Sequence, residues 1–308
     1  MMTEKEHQPI TVTPHFYQLG TPAFPAYLSM GEEGMIIEGG TGPTSNIIVK
    51  QIEALGIDPQ HIKYIVLTHT HADHIGAVPH LKIRWPHLKV LASSKGANAL
   101  SSEGMLKEFL LVDGNIAKLM KGKGEITELP PTLTNYNFEV DTIVDEGDRI
   151  DLGSGVGWTV YNVPGHSSCH IALCEEKEDT LIIGDTTGFY VPEKDVFWPN
   201  YFESLESYVS SIRKLSALKA KRLVLSHNCV IDADMGKHFE KALSATESYH
   251  TELLKRINAG EDAEKVALEK AEWVNSLTDI QPFSVMHNLS RLLIRRSQAY
   301  AKKYHQFT

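Results

Sequence analysis

The chain has 308 residues, 42% of them hydrophobic and 22% charged, with a formal net charge of −9. This describes a soluble globular protein of one large or two smaller domains, and the acidic balance argues against binding a nucleic-acid backbone. Three widely spaced cysteines, Cys169, Cys174 and Cys229, make no disulfide framework. The apolar runs fall far short of a membrane span, and "MMTEKEHQPI" lacks the apolar core of a signal peptide, so the expected location is the cytoplasm.

In chain order, "AYLSMG" and "GMIIEGG" read as short strands with Gly-rich turns between them. "TSNIIVKQIEALGI" reads as a helix: Thr44 or Ser45 can cap its start, Ile48, Ile52 and Leu55 share a face, and Gly56 suits its end. "YIVLTH" is then a continuous apolar strand of the buried kind. Helix and strand alternate, which predicts a layered α/β fold. Residues 101–135 interrupt the rhythm: "GMLKEFLLVDGNIAKLMKGKGE" has helical spacing and "LPP" stops it. This predicts a helical insertion that serves as a lid or pocket wall.

Strand-like segments resume in "DTIVDEGDRIDLG", "GWTVYNVPGH" and "DTLIIGD". "FESLESYVSSIRKLSAL" is a helix with Leu205, Tyr208, Val209, Ile212, Leu215 and Leu218 at helical spacing, and "RLVLSH" is a further buried strand. After about residue 234 the chain turns wholly helical and ends in "SVMHNLSRLLIRRSQAYAKKYH", whose apolar and basic faces separate. The expected division is a catalytic domain over 1–232 and a helical extension over 233–308 that covers the site.

Three of these strands end abruptly in a residue able to bind metal: His69, Asp185 and His227. A fourth reaches His166 after a Pro-Gly turn. Strand ends are where sites form in layered α/β folds. In "HTHADH", extended backbone puts His69 and His71 on one side, and Asp73 and His74 follow where the chain turns into a helix. One metal can take His69, His71 and His166, a second can take Asp73, His74 and His227, and Asp185 has two oxygens with which to bridge them. Imidazole and carboxylate ligands suit zinc or iron, with manganese also permitted. Two divalent ions activate a shared water and polarise a substrate oxygen. Asp73, beside that water, can also relay protons.

"THTHADHIGA", "PGH" at His166, "IGD" at Asp185 and "LSH" at His227 resemble the metallo-β-lactamase fold superfamily over roughly residues 15–232. The resemblance implies a four-layer αββα sandwich and a dinuclear site with the ligand partition just given. It also implies hydrolysis of an ester, thioester, lactone, lactam or phosphoester. More loosely, "VLASSKGANALSSE", "FESLESYVSSIRKL" and "MHNLSRLL" resemble the quinolone-signal response thioesterase-like branch, in which C-terminal helices cover the site and give a His and a Ser to the pocket. His287 and Ser290 stand at the matching positions. Three departures concern the site. Where many hydrolases of the superfamily read "PGHG" at the last His, this chain reads "SHNC" around His227, which alters the expected pocket there. Glu38 in "IIEGG" replaces the Asp common before the first Gly pair, a position that in the superfamily supports the metal ligands from behind. Phe189 replaces an acidic residue that obstructs the site in the thioesterase-like branch.

Other residues have plainer readings. His170 is read as a supporting or structural residue, His61, His80 and His87 as surface residues, and Cys169 and Cys229 as packed thiols. Phe189, Tyr190, Trp198 and Tyr201 follow the bridging Asp and form either core or an aromatic pocket wall, with Tyr190 a donor to a developing oxyanion. The leading expectation is a dinuclear metal hydrolase acting on a thioester or carboxylic ester of a small molecule. Alternatives are a lactonase or phosphoesterase of the same fold, an iron-dependent redox enzyme, and a non-catalytic ligand-binding regulator. Neither a membrane nor a nucleic acid is an expected partner; a homodimer is compatible with the sequence.

Overall fold

The structure, a computed structural model, describes residues 6–133, 138–228, 230–232 and 234–305. Cys229 lies outside them. The first half builds a seven-stranded sheet from β1 (Ile10–Thr13), β2 (Phe16–Gly20), β3 (Pro25–Met30), β4 (Gly34–Ile37), β5 (Ile62–Val66), β6 (Lys89–Ala92) and β7 (Thr142–Ile143), in that spatial order. The first four strands run antiparallel; β4 to β7 are parallel. The connections carry α1 (Ser45–Ala54), α2 (Ala72–Ile75), α3 (Val78–Arg84), α4 (Ser94–Leu100) and α5 (Glu103–Gly122).

The second half builds a six-stranded sheet from β8 (Arg149–Gly153), β9 (Val156–Asn162), β10 (Ile171–Glu175), β11 (Thr180–Gly184), β14 (Arg222–Leu225) and β15 (Val230–Ile231), plus a hairpin of β12 (Phe189–Val191) and β13 (Val196–Trp198). Helix α6 (Leu205–Ser216) precedes β14, and α7 (Met235–Asn258), α8 (Ala263–Leu277) and α9 (Phe283–His305) complete the chain. Among the described residues no helix is long and apolar enough to cross a membrane.

Side-chain alternation along the strands makes four layers. Met35, Ile37 and Val66 face Trp158, Leu173 and Ile182 between the sheets. Ile36, Ile65 and Val90 point the other way, onto Ile48, Ile52, Ile75 and Leu81 of α1 to α3. Leu181, Ile183 and Leu223 likewise meet Tyr208, Ile212 and Leu215 of α6, and the same cluster continues into α7, α8 and α9. Both faces of the central strands are covered, which is why they read as unbroken apolar runs.

Local details differ from the sequence expectations. The insertion is helical, but α5 ends before "LPP": Gly124 takes φ +71° and donates to Lys121 O, while Glu125 N donates to Met120 O. Glycine in a left-handed C-terminal turn stops this helix before a proline is reached. Helix α1 begins at Ser45 with Thr44 as its N-cap residue, as the sequence suggests, but the Thr44 hydroxyl makes no cap bond to the helix: it accepts from Thr41 N in the 3-10 turn Gly42–Thr44 that leads in, where Thr44 N donates to Thr41 O. Strand β5 ends at Val66 rather than His69, and β10, the "IALCE" strand, has no counterpart in the sequence reading.

Candidate metal centre

Each ligand candidate sits just past a strand or in the turn it enters. His69 follows β5 by three residues, Asp185 follows Gly184 at the end of β11, and His227 follows β14 by two. His71 is the residue before α2, whose single turn carries Asp73 and His74. His166 closes a turn after β9 in which Gly165 takes φ +132°, and a Cβ there would lie 2.2 Å from Tyr208 N. Only glycine lets α6 approach this closely.

The structure brings all seven together. His69 Nε2 and His71 Nδ1 are 3.1 Å apart, and His166 Nε2 and His71 Nδ1 2.9 Å. Asp73, His74 and His227 form a second group, with Asp73 Oδ2 3.6 Å from His74 Nε2 and 3.7 Å from His227 Nε2. Asp185 stands between the groups. Its Oδ2 is 3.6 Å from His69 Nε2, 3.5 Å from His166 Nε2 and 3.2 Å from His74 Nε2, and its Oδ1 is 3.8 Å from His227 Nε2.

The outward nitrogens of four of these rings are held by acceptors. His166 Nδ1 donates to the Asn200 carbonyl at 3.0 Å and His227 Nδ1 to the Ala23 carbonyl at 2.6 Å. His74 Nδ1 donates to Glu38 Oε2 at 2.6 Å. Thr68 Oγ1 gives its proton to Glu38 Oε1 at 2.7 Å, so it accepts from His69 Nδ1 at 3.0 Å. Ser226 Oγ also donates to Glu38 Oε1, at 2.8 Å. With their N–H groups turned outward, these rings aim lone pairs inward. Imidazole lone pairs about 3 Å apart repel unless a cation lies between them, and outer acceptors of this kind accompany metal-bound histidines. The donor set therefore fits metal ions.

The electrostatics agree. Burial, then the surrounding imidazoles, push His69 well below its ordinary pKa. Burial also lowers His166. Burial opposes a charge on Asp185, but His227, His166 and His74 hold its carboxyl well below the usual range. Burial likewise opposes a charge on His74, and there Glu38 and Asp73 outweigh it and raise the pKa well above normal. The cluster calls for positive charge where His74 meets the two aspartates. A bound cation would supply that charge in place of the proton on His74.

The other candidates are placed as follows. His170 is buried, its Nε2 accepts from Asp185 N at 3.3 Å, and it belongs to neither ligand group. Cys169 Sγ lies 3.4 Å from Thr70 Oγ1 and from Ser167 Oγ. His61 is exposed, but His80 and His87 are half-buried, and His87 Nε2 bridges the Pro59 and Ile62 carbonyls, a correction to their reading as plain surface residues.

A cavity of about 490 Å³ opens over the ligands. Its wall includes Phe189, Trp198 and Phe202, Phe109 and Val112 of α5, and Ile280, Val285, Leu289 and Leu292 from the helical tail. Tyr190 and Tyr201 are not in this wall. The Tyr190 hydroxyl donates to Asp195 at 3.0 Å, and Tyr201 is core, bonded to Ser297. His287 and Ser290 also lie outside it. His287 Nε2 is 3.0 Å from Glu264 Oε1, and Ser290 is buried with its hydroxyl unpartnered among the described residues. The reason is helical phase: positions 285, 289 and 292 share one face of α9, and 287 falls opposite.

A sequence profile described as the metallo-beta-lactamase superfamily matches residues 27–227. The chain belongs to the metallo-β-lactamase superfamily. Within this superfamily, the "Beta-lactamase-like protein 2 homolog" of Caenorhabditis elegans is 25% identical over 205 residues, which is 67% of this chain and 55% of that protein. The "Atrochrysone carboxyl ACP thioesterase" of Aspergillus fumigatus is 26% identical over 211 residues, 67% of this chain and 50% of that one. The chain thus spans about half the length of each. The crystal structure of the archaeal metallo-β-lactamase superfamily protein ST1585 from Sulfolobus tokodaii superposes with a TM-score of 0.56 at 20% identity, covering 93% of this chain and 99% of that one. At that identity the likeness concerns the fold.

Proposed function

We propose that the chain is a metal-dependent hydrolase that cleaves a carboxylic ester or thioester of a small molecule at a site for two zinc or iron ions. The observation that carries this is the pair of ligand groups facing each other across Asp185, beneath an apolar cavity. His69, His71 and His166 would hold one ion, Asp73, His74 and His227 the other, and Asp185 would touch both. Such ions, when bound, lower the pKa of water and polarise a carbonyl oxygen.

The chain's own residues do the rest. Glu38, Thr68 and the Ala23 and Asn200 carbonyls fix which ring nitrogens face inward. Asp73 lies in the cavity wall, so its carboxylate can take a proton from an incoming water and return it to the leaving oxygen or sulfur. Apolar side chains of α5 and of the segment 233–308, which we read as the cover of the site, exclude bulk water. A relative named as a thioesterase supports the choice of acyl bond.

The test is metal analysis of the purified protein together with assays on aryl-ester and acyl-thioester probes. Cleavage that His71→Ala abolishes is expected. Metal-replete protein inert toward esters, thioesters, lactones and phosphoesters alike would count decisively against the proposal.

A further inference from the structure

We infer that the cavity takes uncharged, apolar acyl groups and turns away acyl groups that carry a distal negative charge. The chemistry rests on the hydrolase reading above; the selectivity rests on the cavity wall. The cavity wall includes the ligand candidates His71, Asp73 and His227. Beyond the ligand candidates it includes apolar side chains such as Phe109, Val112, Val285 and Leu289. Gln281 adds a neutral amide. Apart from the ligand candidates, the charged side chain in the wall is the carboxylate of Glu203, and no lysine or arginine lines the cavity among the described residues.

The guanidinium of Arg296 is not in the wall. Its Nε donates to the Phe202 carbonyl at 2.7 Å, and its Nη2 is 3.8 Å from Glu203 Oε2. A carboxylate at the far end of an acyl chain would lose its water among these apolar side chains and find no lysine or arginine among the described residues of the wall, while Glu203 offers only a charge of the same sign. A methyl group there would instead gain from burial. Hydrolysis is balanced without a cation at that end: water adds to R–CO–X, the C–X bond breaks, and R–COOH and H–X form, with the new carboxyl at the ligand end.

The decisive comparison uses p-nitrophenyl esters with one leaving group throughout. From acetate to butyrate to hexanoate, kcat/KM is expected to rise about three- to fourfold per methylene. The mono-p-nitrophenyl ester of adipic acid is expected to react about 100-fold or more slowly than the same compound with its distal carboxyl methylated. Equal rates for that pair, or acetate faster than hexanoate, would overturn the inference while leaving the hydrolase reading intact.

Binding supplies a readout without turnover. The uncharged fluorophore N-phenyl-1-naphthylamine should bind and be displaced by methyl hexanoate but not by monomethyl adipate. Displacement in that order with no ester cleaved would keep the selectivity and sink the hydrolase. Failure to bind the fluorophore, or equal displacement, sinks the selectivity. Leu289→Lys should raise the rate of the adipate hemi-ester relative to its methyl ester at least about tenfold; an unchanged ratio removes α9 from the selective wall.

Discussion

Glu38 and His74 meet through a 2.6 Å bond from His74 Nδ1 to Glu38 Oε2, while the other ring nitrogen of His74 faces Asp185. The second oxygen of Glu38 accepts from Thr68, which holds His69, and from Ser226, the neighbour of His227. One fully buried carboxylate thus braces rings from both ligand groups. Glu38 does so at φ +69°, a left-handed conformation that costs a non-glycine residue about 1–2 kcal/mol.

Glu38→Gln is therefore expected to weaken metal binding by roughly 10- to 100-fold, because an amide cannot accept from all three partners. Chelator competition measures this directly. Glu38→Asp should recover part of the affinity. Full metal affinity in Glu38→Gln, with only thermal stability reduced, would mean that the carboxylate packs the core and does not tune the ligands.

Substitutions in one ligand group should be separable from substitutions in the other. His71 Nδ1 lies within about 3 Å of two ring nitrogens of the first group, and His227 belongs to the second. On the proposed two-ion site, metal content is expected to fall from two ions per chain toward one in either His71→Ala or His227→Ala. In Asp185→Asn both ions should loosen. Elemental analysis after gel filtration gives the count. Two ions retained by His71→Ala would break the proposed partition.

Much of this site was legible because its residues are punctuation in an apolar text. His69, His71, Asp73 and His74 come within six positions, and Asp185 and His227 each end a buried strand. The bracing was legible only in part: the resemblance marked position 38 as one that supports the site, but not which residues it would hold. Glu38, Thr68 and Ser226 lie on three separate strand ends, and only the packing of two sheets makes one carboxylate their common acceptor. The rotation of α9 was also hidden. An amphipathic pattern announces a buried face, but a shift of one or two positions decides whether 285 and 289 or 287 and 290 reach the cavity.

His170 supports Asp185 from behind. Its Nε2 accepts the Asp185 N–H, so its proton sits on Nδ1, which is buried without a partner among the described residues. Gly184 gives the ring its space: it takes φ +57°, and a Cβ there would come within 2.1 Å of His170 Nε2. His170→Leu leaves the Asp185 amide unpaired and should cost about 1–3 kcal/mol in urea unfolding. His170→Gln, which keeps an acceptor, should recover part of that loss and part of any lost metal affinity. Equal behaviour of the two variants would show that only the shape of the ring matters. Gly184→Ala should be destabilised on both steric and conformational grounds.

His238 gives the fold a pH dependence of known sign. It is buried between Tyr190 and Phe197, its Nε2 lies 3.2 Å from Thr187 Oγ1, and burial lowers its pKa to about 4. An unfolded chain returns it to about 6.5. Between those values the unfolded state binds more protons, so the contribution of a neutral His238 is complete above about pH 6.5 and is lost as pH falls toward 4, with a slope of at most about 1.4 kcal/mol per pH unit. Metal release also follows acidification, so the measurement belongs on metal-stripped protein. Urea midpoints for wild type and His238→Gln at pH 7.5, 6 and 5 should converge as the pH falls, because the variant lacks this proton linkage. A constant gap between the two curves would show that His238 is not held neutral by its site.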